Sequence, residues 1–89
     1  MDKQQDTLLK FPCEFPIKVM GLSDSGFEVM ALEVIRRHAP DFDPQFMHTN
    51  TSSKGKYLAT TFTVTAQSKG QLDSMYYELT ACKDILMVL

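Results

Sequence analysis

The sequence predicts an α+β domain of the ferredoxin-like kind, a βαββαβ sandwich in which a four-stranded antiparallel sheet carries two helices on one face. Three observations predict it. Apolar residues alternate with a period of two around Phe15, Ile17 and Val19 and again from Leu58 to Ala66, the spacing of half-buried strands. Two other stretches place apolar residues at helical spacing, and the elements follow the order strand, helix, strand, strand, helix, strand. The 89 residues, 44% of them hydrophobic, are enough for one small core and too few for two. The expected organisation is a loose N-terminal arm over 1–10 and a single domain over 11–89.

Taken in order, the first strand lies in "FPCEFPIKVMGL", where Phe15, Ile17 and Val19 alternate with Pro16, Lys18 and Met20, and proline is tolerable at a strand's first positions and nowhere deeper. In "SDSGFEVMALEVIRRHAP", Ser25 and Glu28 have capping-box spacing, Phe27, Met30, Ala31, Val34, Ile35 and His38 share a face, and Pro40 forbids continuation past His38. Residues Gln45 to Thr51 form the weakest strand. The third strand turns Leu58, Thr60, Phe62, Val64 and Ala66 to one side and Ala59, Thr61, Thr63 and Thr65 to the other. Ser68 caps the second helix with Gln71 at the box position, and Leu72, Met75, Tyr76 and Leu79 line one side. "DILMVL" closes the chain as a short strand. The first and third strands belong in the centre of the sheet, over a core of Phe15, Ile17, Val19, Phe27, Met30, Val34, Leu58, Phe62, Val64, Leu72, Met75 and Leu79.

A net charge of −2 supplies no global positive field for phosphate backbones. The third strand's open side offers threonines and only Tyr57 near its tip, so the aromatic platform of RNA-binding relatives of this fold is missing and no nucleic-acid partner is expected. No apolar run approaches the roughly 20 residues that span a bilayer, and the polar start is unlike a signal peptide. The expectation is a cytoplasmic protein with no membrane partner. Cys13 and Cys82 lack metal or redox spacing and belong to opposite ends of the sheet, so two free structural thiols are expected.

"FPxxFPxKVMG", "RRHAP" and "SSKGKY", in this order, resemble the YbeD-like family of small uncharacterised bacterial proteins. The resemblance runs from Phe11 to Leu89. It implies a ferredoxin-like domain similar to the ACT ligand-binding regulatory domains, and no assigned enzymatic activity.

Chain direction brings three connections to one end of the sheet: Gly21 to Gly26, the hairpin tip Ser52 to Lys56, and Ala81 to Asp84. The first delivers a helix amino end, where unpaired N–H groups favour an anion. The candidate ligand-binding residues are therefore Gly21, Ser23, Ser25, Gly26, Ser52, Ser53, Lys54 and Lys56, for a small anionic metabolite. The competing reading makes the same residues turn formers, a helix cap and a solvated hairpin tip. Neither histidine falls near those serines, so no nucleophilic machinery is expected; Asp41 and Asp43 suit a stiff, solvated turn between Pro40 and Pro44, and His48 lies on a strand with no paired histidine, so no metal site is expected. A non-enzymatic regulatory or ligand-binding module without cofactor is the leading expectation, with a protein-interaction domain as the alternative. The uncharged edge Ile85 to Leu89 is expected to pair weakly with a second copy or a protein partner, or to be covered by the N-terminal arm.

Overall fold

Strands β1 (Cys13–Leu22) and β3 (Tyr57–Ala66) form the middle of the sheet, antiparallel from Cys13 opposite Ala66 to Leu22 opposite Tyr57. The structure is a computed structural model that describes residues 10–89, so apart from Lys10 the expected N-terminal arm lies outside the described residues. Helix α1 (Phe27–His38) leads to a 3₁₀ turn at Pro44–Phe46 and the edge strand β2 (Met47–Thr51). Helix α2 (Lys69–Ala81) leads to the other edge, β4 (Ile85–Val88). The strand order β2-β3-β1-β4 is the expected ferredoxin-like one.

Ile17, Val19, Phe62 and Val64 face the helices and form one core with Phe27, Ala31, Val34 and Ile35 of α1 and Leu72, Met75 and Leu79 of α2. Each large side chain taken wholly from water stabilises the fold by about 1.5–3 kcal/mol. Thr60 is buried among them because its hydroxyl meets that of Thr49 at 3.0 Å, which leaves no polar atom unpaired. Phe15 and Leu58 are only half-buried, and Met30 is 39% exposed. The α1 stripe centres on Ala31 and Ile35, which turns Met30 to the rim of the helix.

Three local expectations are corrected. Gly26, at φ 75°, is the N-cap of α1 and no side chain caps it. Ser25 lies one residue too early for the cap, although its hydroxyl accepts the Phe27 N–H at 3.3 Å and donates to the Leu22 carbonyl at 2.8 Å. Pro16 is the fourth residue of β1, deeper than a proline was expected. It is tolerated because Lys18 and Leu89 exchange backbone hydrogen bonds across β1 and β4, so even-numbered β1 residues face β4, which does not reach opposite Pro16. Finally, the Pro40–Pro44 turn is not fully solvated. Phe42 is buried, its ring 5.8 Å from that of Phe62, and it closes the core at that end.

Ser68 caps α2 as expected: its hydroxyl accepts the Gln71 N–H at 3.1 Å, while the Gln71 side chain accepts the Gln67 N–H at 2.6 Å. Tyr77 is exposed. Tyr76 is half-buried, edge-on to Phe15, and donates to the Leu89 carbonyl at 3.1 Å; burial raises its phenol pKa. Cys13 and Cys82 are free thiols. No helix of the described residues is long and apolar enough to cross a membrane.

Candidate functional site

The β1–α1 loop and the β2–β3 hairpin do meet. Ser23 donates its N–H to the Lys56 carbonyl at 2.9 Å and its hydroxyl to the Gly55 carbonyl at 2.7 Å. The hairpin is closed by its own bonds: Ser52 N–H to the Tyr57 carbonyl, Tyr57 N–H to the Ser52 hydroxyl, and Gly55 N–H to the Ser52 carbonyl. Gly55, at φ 71°, supplies the left-handed residue this turn requires. The serine hydroxyls at 23, 25 and 52 thus hold the loops together. Gly21 is buried, and a Cβ there would stand 2.6 Å from the Phe27 ring and 2.8 Å from the Asp84 carbonyl. The close approach this glycine permits is made by the protein itself.

Ser53 and Lys54 remain exposed at the tip, and the Lys56 ammonium lies 5.6 Å from the Tyr57 ring centroid. Asp24 and Glu28 bring negative charge to the same helix start. None of the three concavities described below is lined by any of the eight predicted residues.

The sheet's open face carries a feature that single-strand reading missed. Met20 is paired with Ala59 on one side and Met87 on the other, and Leu22 with Tyr57, so apolar side chains from β3, β1 and β4 form adjoining rows. Leu22 is 36% exposed, Tyr57 41% and Met87 50%. The signal was divided among three segments that only the register brings together. Beside it, the uncharged β4 edge is short and bulged: Met20 opposes Met87 while Gly21 opposes Ile85, which leaves Leu86 without an opposite residue.

At the opposite end of the sheet lies a groove of about 300 Å³ between the Pro40–Phe46 segment and the last residues of β3. Asp41, Asp43, Phe42, Phe46, Thr63 and Thr65 are among its lining residues. Two shallower concavities lie against the helix layer around Glu78. There one Glu78 oxygen accepts from Arg37 at 2.8 Å and lies 2.9 Å from His38 Nε2, which ties α1 to α2. These two bonds, led by that from His38, hold the Glu78 carboxyl below the ordinary carboxylate range.

Comparison with known proteins agrees with this architecture. The family described as "Protein of unknown function (DUF493)" matches residues 6–89. The UPF0250 protein NE1487 of Nitrosomonas europaea is 43% identical over 75 residues, covering 84% of this chain and 86% of that protein. A UPF0250 protein of Shewanella sediminis is 42% identical over 90 residues, covering 100% of this chain and 99% of the relative. The solution structure of protein HP0495 from H. pylori superposes with a TM-score of 0.72 at 13% identity, over 91% of this chain and 85% of that one, which supports the fold alone.

Proposed function

This chain belongs to the DUF493 family of small bacterial proteins, and from that starting point we propose that it is a non-enzymatic interaction module whose open sheet face docks on a protein partner. The adjoining apolar rows of Met20, Leu22, Tyr57, Ala59 and Met87 support this best, because water-facing apolar side chains gathered across three strands do nothing for the chain's own core. Weak pairing through the β4 edge, with a second copy or a partner strand, extends the same surface; the bulge keeps such pairing weak.

A photo-crosslinking residue placed at position 57 or 87 in cells tests the reading. It gives a discrete protein adduct from the sheet face, whereas the same residue at exposed Arg36 on α1 does not. Adducts of equal yield from both faces, or none from the sheet, refute it.

The second reading is the binding of a small anionic metabolite at Ser23, Ser25, Gly26, Ser52, Ser53, Lys54 and Lys56, with Gly21 beneath. The Ser23 bonds to the hairpin favour it, because they hold Lys54 and Lys56 beside a helix amino end that has no side-chain cap. A thermal-shift screen of amino acids, keto acids and nucleotides reads it by mass action. A hit that survives the Lys54→Glu, Lys56→Glu double variant counts against this site.

A further inference from the structure

We propose that the groove beside the end of β3 binds an extended peptide segment carrying a lysine or arginine, a second recognition site that does not depend on the open sheet face. The first ground is an uncovered strand flank. β3 pairs with β1 over its whole length, but β2 stops at Met47, opposite Phe62, so among the described residues no strand lies beside the flank from Thr63 to Ala66. The hydrogen bond from Ser52 N–H to the Tyr57 carbonyl shows that Tyr57 directs its backbone groups towards β2, whereas Lys56 accepts from Ser23 on the β1 side. Strand alternation carries that direction to every second residue, so Thr65 turns its N–H and C=O into the groove. A residue of a guest strand laid there exchanges two backbone hydrogen bonds with Thr65, the pattern by which sheets accept added strands.

The second ground is the chemistry of the facing wall. Asp41 and Asp43 line it together with the Phe42 and Phe46 rings, and Phe46 is 50% exposed. Asp43 already accepts from the Gln45 N–H at 3.0 Å and the Gln45 side-chain amide at 2.9 Å, which fixes its carboxylate in place. Asp41 has no hydrogen-bond or ion-pair partner among the described residues and is free to receive a cation. Two carboxylates beside an exposed aromatic ring suit a guanidinium or ammonium group, whose charge the acids neutralise and whose stem the ring covers. At about 300 Å³ the groove is at the lower end of ligand-pocket sizes, room for a few residues of chain rather than for a folded domain.

The test is an NMR titration of the ¹⁵N-labelled full chain with the capped pentapeptide acetyl-Thr-Val-Arg-Val-Thr-amide. Three control ligands accompany it: the same peptide with Glu for Arg, the same peptide with both valine nitrogens methylated, and arginine amide alone. The Arg peptide is expected to move the Thr65 amide proton downfield and to shift Asp41, Phe42, Phe46 and Gln67, with the Leu22 and Tyr57 amides unmoved. The Glu peptide binds at least about tenfold more weakly, because like charge now faces Asp41 and Asp43. The methylated peptide loses the backbone bonds and the Thr65 shift, and arginine amide moves Asp41 without moving Thr65. Asp41→Asn, an exposed loop change that leaves the amide spectrum dispersed, lowers affinity for the Arg peptide about fivefold while keeping the Thr65 shift. A Thr65 amide that stays still with every peptide overturns the proposal, as do equal affinities for the Arg and Glu peptides. So does a response confined to the Met20, Leu22 and Tyr57 face, which leaves the interaction-module reading standing without this groove.

Discussion

Replacing Gly21 by alanine tests whether this glycine serves packing or a ligand. The added Cβ falls 2.6 Å from Phe27 Cδ2 and 2.8 Å from both Phe27 Cγ and the Asp84 carbonyl oxygen. Carbon contacts are comfortable at about 3.5–4.0 Å, so roughly 1 Å must be recovered on two sides at once. Phe27 is fully buried and has nowhere to turn. The Asp84 carbonyl belongs to the backbone that enters β4, directly before Ile85, the pairing partner of Gly21. Relief therefore requires a shift of α1 or of β4. Overpacking of this kind costs about 1–3 kcal/mol; with backbone on one side, the upper part of that range, about 2–3 kcal/mol, is expected. For a domain of this size each kcal/mol lowers Tm by about 4–8 °C, so Gly21→Ala melts about 8–24 °C below wild type in a circular-dichroism scan, with a matching fall in the urea midpoint. Gly26→Ala is the control. Its Cβ meets nothing within 4 Å, and its cost is the left-handed φ of 75°, about 1 kcal/mol. A Gly21→Ala melt at or above that of Gly26→Ala refutes the packing account and returns Gly21 to the candidate ligand residues.

Phe42→Ala, a substitution in a turn, should cost about 3–5 kcal/mol, as a core deletion does, because the ring is only 8% exposed and rests on Phe62; denaturant unfolding checks this, and a loss below about 1 kcal/mol contradicts it. Glu78→Gln should flatten the acid side of the stability profile. The Glu78 carboxyl is held below its ordinary range by His38 and Arg37, so the stability it contributes is present above the unfolded pKa and is lost as pH falls through the lowered folded value. Melting curves from pH 6 downwards should converge for wild type and variant at the acid end, and parallel curves refute the linkage.

The readable parts of the sequence were those in which local period and global fold agree. Alternation in β3 and around Ile17 placed the inward residues correctly, because a strand with one buried face has only two possible phases. Ser68 with Gln71 marked the start of α2 correctly, since a capping box is satisfied within five residues of chain. The meeting of the β1–α1 loop with the hairpin tip followed from chain direction alone, and the Ser23 bonds to Gly55 and Lys56 are its outcome.

Tertiary structure decided what local pattern leaves open. The apolar stripe of α1 is wide enough to tolerate several rotations, and only packing against the sheet buried Ala31 and Ile35 and left Met30 at the rim. A proline inside β1 is acceptable only because β4 ends before reaching it, and a phenylalanine between two prolines is buried only because Phe62 lies within reach. The open-face apolar rows and the groove beside Thr65 depend on where strands start and stop relative to one another. Composition and period describe each segment separately, whereas register is a relation between segments, set by which pairing buries the most apolar surface and leaves the fewest backbone groups unpaired.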